Sequence, residues 1–315
     1  MVTYSIVAPA YNEEEALHSF YQEVTAVMQT QEGNYELIFI NDGSTDKTQS
    51  VISALARQDT HVKFCRFSRN FGQQAAIYCG LKEASGEAVI VMDTDLQDPP
   101  AVLPEMIKLW KEGYQIIHGK RRTREQDKPF KRITAKAFYA TMGKITGLKM
   151  QNSGDFKLYD RAVVNALLSM PEHDRLLRVQ ACWVGFRQTS VEFDRPQRIA
   201  GTSHYTVKKM AKLAQTGILP NTDAPLTLPL KLGAGLAVVS VLAMAVLLVL
   251  TLSGVLYDTL TPWLFPVIGL ATGVILFCQG LSNLYTYMIY KEVQNRPQYI
   301  LAEKGNFDEE TKPQN

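Results

Sequence analysis

The sequence predicts an α/β protein, with a mostly parallel sheet covered by helices and an apolar appendage after it. Three observations carry that expectation. Short runs rich in Val, Ile and Phe alternate with longer amphipathic stretches over the first 120 residues or so, which is the pattern of strands joined by right-handed helical crossovers. A polar cluster follows each of the first four runs, and in an open α/β sheet the loops at strand C-termini gather along one ligand-binding edge. From about residue 232 the chain changes character, to two long stretches almost without charge.

Thr3 to Ala8 reads as strand one, ends at Pro9-Ala10-Tyr11-Asn12-Glu13-Glu14, and leads into a helix that runs to about Thr30. Tyr35 to Ile40 is strand two, ending at Asn41-Asp42-Gly43-Ser44-Thr45-Asp46. There Gly43 supplies a turn, and Ser44 or Thr45 is placed to cap a helix to Arg57. Val62 to Phe67 is strand three, followed by Ser68-Arg69-Asn70-Phe71-Gly72-Gln73-Gln74 and a helix to about Ala84. Glu87 to Met92 is strand four and Gln115 to Gly119 strand five.

Strand four ends abruptly in Asp93-Thr94-Asp95-Leu96-Gln97-Asp98-Pro99-Pro100. Side chains alternate across a strand, so Asp93 and Asp95 should emerge on one side where it stops. Two carboxylates there can share a hard divalent cation, since Mg²⁺ takes one or two carboxylates together with phosphate oxygens. The same residues also read as an acidic loop capping the next helix, with Asp98 as N-cap, Pro99 at the first position and Gly113 as the stop. Glu13 and Asp42 likewise read either as ligands or as partners of helix dipoles.

At 315 residues there is room for one large domain and an appendage. A net charge of +2 argues against a nucleic-acid partner. No Gly-x-Gly-x-x-Gly fingerprint or phosphate-binding P-loop follows a strand, which argues against dinucleotide-dependent hydride transfer and P-loop ATP hydrolysis. Cys65, Cys79, Cys182 and Cys278 are scattered, a spacing that fits buried thiols in a reducing compartment better than a disulfide framework or a zinc site. Met1 leads straight into a strand, so no signal peptide is expected. The polar stretch from Glu303 to Asn315 reads as a disordered tail.

Ala10-Tyr11-Asn12-Glu13, Asn41-Asp42-Gly43-Ser44-x-Asp46, Ser68-Arg69-Asn70-Phe71-Gly72 and Asp93-x-Asp95-Leu96-Gln97-Asp98-Pro99-Pro100 together resemble inverting glycosyltransferases of the GT-A fold. The closest likeness is to the family 2 enzymes that act on polyprenyl phosphates, the bactoprenol glucosyltransferases and dolichol-phosphate mannosyltransferases. The resemblance spans residues 3 to 205 and continues into the apolar stretches. It implies that Pro9, Tyr11, Glu13, Asp42, Arg69 and Gln73 hold the nucleotide-sugar donor, with Asp93 near the ribose. Asp93, Asp95 and Gln97 would ligate Mg²⁺ or Mn²⁺ bridging the donor diphosphate.

Asn152-x-Gly154-Asp155-Phe156 matches a segment whose Asp lies by the acceptor in the resembled family, which makes Asp155 the acceptor-side catalytic carboxylate. Its usual label is general base. A phosphate monoester near neutral pH is already largely dianionic, so Asp155 can instead orient groups or tune charge. Arg195-x-x-Arg198-x-x-Gly201-x-Ser203-His204-Tyr205 resembles the family's acceptor-phosphate loop, with Arg195, Arg198, Ser203 and Tyr205 as the binding residues. His204 stands where Lys is usual. Arg suits phosphate because its planar fork makes paired charge-assisted hydrogen bonds.

Residues 129–147 form a basic amphipathic stretch that fits either a helix lying in the membrane interface or an ordinary surface helix, and the former is favoured. Residues 205–229 form a second amphipathic stretch before the apolar spans, about 232–256 and 263–287, each longer than the roughly 20 residues a bilayer needs. Lys208, Lys209, Lys212 and Lys231 precede the hairpin, Lys291 and Arg296 follow it, and Tyr257 to Pro262 carries no basic residue. The positive-inside rule then puts both termini in the cytoplasm.

The expected molecule has a GT-A domain over 1–204, a juxtamembrane helix over 205–229, two transmembrane helices within 230–290 and a partly disordered cytoplasmic tail over 291–315. It would sit in a bacterial plasma membrane and move a hexose with inversion, from UDP-glucose first among candidates, to undecaprenyl phosphate. Mannose, N-acetylglucosamine and a modified aminopentose stay open, and family resemblance adds homo-oligomerisation. A processive polysaccharide synthase would need more than two spans. A non-catalytic membrane scaffold would have no use for Asp93, Asp95, Asp155 and Arg198, and a transporter would be expected to carry intramembrane charge.

Overall fold

The computed structural model describes residues 2–122, 154–172, 176–194, 253 and 260–307. The chain divides into two compact units, one of Met1–Leu213 with Pro297–Asn315 and the other of Ala214–Arg296.

The first unit is built on an eight-stranded sheet in the order β7-β5-β6-β4-β1-β2-β3-β8. The strands are β1 (Tyr4–Ala10), β2 (Tyr35–Asn41), β3 (Val62–Phe67), β4 (Ala88–Val91), β5 (Ile116–Arg121), β6 (Lys157–Asp160), β7 (Gln188–Phe193) and β8 (Leu301–Gly305). The run β4-β1-β2-β3 is parallel throughout, as the alternation of strands and helices predicts. β6 enters antiparallel between β4 and β5, and β7 pairs parallel with β5.

Helices cover both faces. On one side lie α1 (Leu17–Met28), α2 (Thr48–Gln58) and α4 (Leu103–Lys111). α1 shows why: Leu17, Phe20, Val24 and Met28 recur every three or four residues and are all buried, the spacing of one helical face. They pack with Ile6, Leu37 and Phe39 of the strands. The opposite face carries α3 (Gln73–Glu83), α5 (Arg161–Ser169) and α6 (Leu177–Trp183) against Val7, Ile38, Ile40 and Val89. Strands buried on both faces need continuous apolar runs rather than alternation, and every residue of β1 and β2 is buried.

Three local expectations are corrected. Glu303 to Gly305, read as the start of a disordered tail, belong to β8, which pairs antiparallel with β3. The helix expected from Asp98 and Pro99 begins later. A 3₁₀ turn covers Pro100–Val102 and α4 starts at Leu103, because two successive prolines hold Pro99 extended. α2 is entered through Lys47 rather than a Ser44 or Thr45 cap, and the Asp46 carboxylate accepts the Thr48 N–H instead.

In the second unit, α7 (Leu260–Gln294) is a helix of 35 residues that contains the second expected apolar span. Several of its side chains between 260 and 284, all of the first span but residue 253, the 129–147 and 205–229 stretches and the whole 195–205 loop lie outside the described residues. Among the described residues no helix is long and apolar enough to cross a membrane.

Candidate active site

The chain runs outward from β1 to β2 to β3 and then crosses back to place β4 on the other side of β1. A crevice opens where strand order reverses in this way. A cleft of about 370 Å³ lies there, lined by Pro9, Ala10, Tyr11 and Glu13 at the end of β1, Asp42 after β2, Asn70, Gly72, Gln73 and Ala76 from β3 into α3, and Asp93, Thr94 and Asp95 after β4. Seven of the expected site residues therefore meet in one place: Pro9, Tyr11, Glu13, Asp42, Gln73, Asp93 and Asp95.

The motifs also hold the cleft walls to one another. The Asn12 side-chain oxygen accepts the Thr45 N–H at 2.9 Å, and the Asn12 N–H donates to Ser44 Oγ at 3.0 Å. The Glu13 N–H donates to Thr48 Oγ1 at 2.9 Å, and Glu14 Oε2 accepts the Lys47 N–H at 2.7 Å. Asn12 reaches this position in the left-handed region, at φ 56°, which Asn tolerates better than most residues. Asp42 uses both oxygens on the third wall, accepting the Phe71 N–H at 2.7 Å and the Gly72 N–H at 2.9 Å. Gly43, at φ 66°, lets the turn pass against Arg69, where a Cβ would strike the Arg69 backbone.

Arg69 does not line the cleft. Its guanidinium lies 4.0 Å over the Phe71 ring and donates to the Asn70 carbonyl. Tyr11 is 46 % exposed at the cleft mouth, an aromatic face open to a planar ligand.

Strand alternation is not what brings Asp93 and Asp95 together. β4 stops at Val91, and both carboxylates stand in the loop beyond it, which turns through Leu96 at φ 56°. Burial, followed by the charges of Asp98, Asp155 and Asp95, pushes the Asp93 carboxyl up to about 7. Gln97 is buried, and its Oε1 has no hydrogen-bond partner among the described residues. A buried unpaired amide oxygen beside crowded carboxylates fits a hard cation, whose ligands are oxygens. Among the described residues no three His, Cys, Asp or Glu side chains form a closed metal cage. The candidate ligands named from the sequence are two cleft-lining carboxylates and, two residues past Asp95, the buried Gln97 amide oxygen.

Asp155 reaches the same place from β6. Val91 of β4 stands opposite Lys157 of β6, two residues past Asp155, and the Asp155 charge acts on Asp93 in the loop beyond β4. The first two residues of α3 serve one carboxylate each. Gln73 Nε2 donates to Asp93 at 2.8 Å and Gln74 Nε2 to Asp155 at 3.4 Å. Burial acts to raise the Asp155 carboxyl, but Arg178, then Lys157 and Gln74, outweigh it and hold the group below the usual range.

The glycosyl transferase family 2 profile matches residues 5–169. The chain belongs to that family. Over 303 residues this glycosyltransferase is 39% identical to the uncharacterized glycosyltransferase YkcC of Bacillus subtilis, covering 95% of this chain and 93% of that one. It is 39% identical over 313 residues to the SfII prophage-derived bactoprenol glucosyl transferase of Shigella flexneri, covering 96% and 99%. A further relative, the bactoprenol glucosyl transferase of Shigella phage SfV, is 38% identical, covering 94% and 97%.

The glycosyltransferase has further paired and buried polar residues outside the cleft lining, and of these the motifs singled out only Asp98. Arg178 in the first turn of α6 grips Asp155 with a two-pronged contact, Nε to Oδ1 at 2.7 Å and Nη2 to Oδ2 at 2.8 Å. Asp98 is buried and meets Arg121 Nη2 at 3.4 Å. Lys157 and His118, opposite each other on β6 and β5, are both buried. Burial brings the Lys157 amine down to about 8 against the pull of Asp155, and burial with the Lys157 charge brings His118 down to about 4. A lysine inside a four-residue strand was the available signal, since a buried cation needs a compensating group. Arg195, Arg198, Ser203 and Tyr205 lie outside the described residues.

Proposed function

We propose that this glycosyltransferase moves a hexose from a nucleotide-sugar, UDP-glucose first, to a polyprenyl phosphate at the cytoplasmic face of a bacterial plasma membrane. The observation that supports it most is the cleft at the β1/β4 switch point, where nucleotide-sized space, an exposed tyrosine and the Asp93 and Asp95 carboxylates coincide. The acceptor class rests on relatives named bactoprenol glucosyl transferase over almost the whole chain. Mannose, N-acetylglucosamine and an aminopentose remain alternative sugars.

In this reading Tyr11 offers its ring to the nucleobase, while Pro9, Glu13 and Asp42 shape the nucleoside end. Asp42 also holds the Phe71–Gly72 backbone that forms the opposite wall. Asp93, Asp95 and Gln97 would hold Mg²⁺ or Mn²⁺, which supplies charge neutralisation to the departing diphosphate. A phosphate oxygen of the acceptor attacks the anomeric carbon on the face opposite that leaving group, and the sugar configuration inverts. The attacking oxygen is already anionic, so Asp155, held ionised by Arg178, has no proton to remove. Arg195, Arg198, Ser203 and Tyr205 would bind the lipid phosphate.

The two apolar spans, the second within α7, would anchor the enzyme as a hairpin, with both termini cytoplasmic, as the placement of Lys and Arg supports. Association into homo-oligomers is part of the same proposal. The test is a screen of nucleotide-sugars against radiolabelled polyprenyl phosphate with purified full-length protein. One donor should give a labelled glycolipid. Transfer only to a growing polysaccharide, or no transfer from any donor, would overturn the reading.

A further inference from the structure

Asp155 is built into a frame that fixes Arg178 from two directions. From the β6 side the carboxylate takes the guanidinium's Nε and Nη2 hydrogens at 2.7 and 2.8 Å. From the α3 side, Gln74 donates to the same carboxylate, and its Oε1 accepts the Leu177 N–H at 3.2 Å, which ties down the first turn of α6. Gln74 follows Gln73 in the first turn of α3, and Gln73 is bonded to Asp93. The frame therefore sets Arg178 at a fixed position relative to Asp93 and the reacting end of the cleft.

Such a frame is more than Asp155 needs to act as a base, because both its oxygens are occupied by a cation. It does suit the aiming of a cation. The cleft wall presents Glu13, Asp42, Asp93 and Asp95, so an incoming phosphate dianion meets carboxylates on the donor side. Arg178 is 30 % exposed. A guanidinium is a planar fork suited to phosphate oxygens.

We propose that Arg178 binds the phosphate of the acceptor and that Asp155 is its positioning residue, holding the guanidinium where the attacking oxygen must stand. This rests on the reading of the acceptor as a polyprenyl phosphate. Asp155 then acts only through Arg178, and the effects of removing each are not independent.

The experiment uses purified full-length enzyme, the donor found active and polyprenyl phosphate, with kcat/KM for the acceptor, donor Kd by calorimetry with Mn²⁺, and Tm measured for each variant. Arg178→Gln should lower acceptor kcat/KM by about ten- to a hundred-fold, the expected effect of one lost charged hydrogen bond. Donor Kd should stay within about two-fold. Arg178→Lys should recover part of the loss, keeping the charge without the fork. Arg178→Gln leaves Asp155 buried without its partner, and adding Asp155→Asn removes that imbalance. The paired variant should regain Tm yet remain as defective with acceptor as Arg178→Gln alone.

Three results overturn the assignment. Wild-type transfer in the paired variant would make the ion pair purely structural. Losses that multiply in the paired variant would make Asp155 an independent base. A donor Kd that weakens as much as acceptor use would put Arg178 on the donor side. If the wild type itself transfers nothing to polyprenyl phosphate, the acceptor reading falls and takes this assignment with it.

Discussion

Asp42 does two things with one carboxylate: it faces the cleft and it holds the loop that closes it. It accepts two successive N–H groups, of Phe71 and Gly72, from the segment leading into α3. Asp42→Asn keeps the shape but points an NH₂ at one of those donors. The loss of a charge-assisted bond costs about 1.5–3 kcal/mol, so Tm should fall and donor Kd should weaken by roughly ten-fold. Unchanged donor affinity in calorimetry would mean that the loop holds without it. His118 makes a second residue-level prediction. Its Nε2 meets Gln188 Oε1 at 2.9 Å, and Gln188 Nε2 is committed to the Ala181 carbonyl, so His118 Nε2 is the donor, and burial keeps the ring neutral near pH 7. With its folded pKa down at about 4 and an unfolded value of about 6.5, the native state binds fewer protons than the unfolded chain between those limits. The stability it contributes is therefore present above about pH 6.5 and lost as pH falls towards 4, with a slope of at most about 1.4 kcal/mol per pH unit from this group. His118→Gln should flatten the Tm-against-pH curve in that window, and an unaltered slope would contradict the assignment. At this scale the sequence reveals residues that work within a motif, such as Tyr11, Asp42, Asp93 and Asp95. It hides Arg178, whose partner is 23 positions away and whose neighbours carry no periodicity that points to it. Gln97 stood within its motif, but that its amide oxygen would be both buried and unpaired needed the fold.

β8 is the element that sequence patterning misread. Leu301–Gly305 contains Glu303 and Lys304, and exposed charged residues are ordinary on an edge strand, so hydropathy alone gives no strand signal there. Its place comes from β3. The Ile300 carbonyl accepts the Ser68 N–H at 3.0 Å, Tyr299 stacks on Phe67 at 4.8 Å, and Asn306 Nδ2 donates to the Val62 carbonyl at 2.8 Å. Ser68 begins the segment that Asp42 holds, so β8 braces the base of a cleft wall. Tyr299→Ala should cost about 1–3 kcal/mol from lost stacking and burial and lower Tm by several degrees. Deleting 297–315 should do more, exposing β3 as an edge and weakening donor binding as well as stability. A truncated protein with wild-type Tm and donor affinity would show β8 to be dispensable. β6 was missed for a related reason. A four-residue strand with a buried lysine reads as loop until β4 and β5 flank it. The parallel strands β1 to β4 were legible because burial on both faces writes itself as unbroken apolar runs.

At the scale of the whole molecule, the chain divides into Met1–Leu213 with Pro297–Asn315 and Ala214–Arg296, so residues 297–315, read from the sequence as a tail, belong to the unit that holds the cleft. That membership constrains topology, because whichever side of a membrane holds the catalytic sheet must also hold the C-terminal strand. The proposed hairpin satisfies this. A Thr259→Cys variant lacking the native cysteines should be labelled by an impermeant thiol reagent applied to intact cells, and a Thr311→Cys variant should not. Labelling of the second from outside would overturn the topology.

The most direct test of the account is the mass of the lipid product formed from polyprenyl phosphate and UDP-glucose by purified wild-type and Asp95→Asn enzyme, each with Mn²⁺ and with EDTA. The account predicts a lipid one hexose heavier from the wild type with metal and little without it. With Asp95→Asn the rate should fall by about a hundred-fold or more at unchanged Tm, the size expected when charge stabilisation of a leaving group is lost. Full wild-type activity in EDTA, or a wild-type rate from Asp95→Asn, would contradict it.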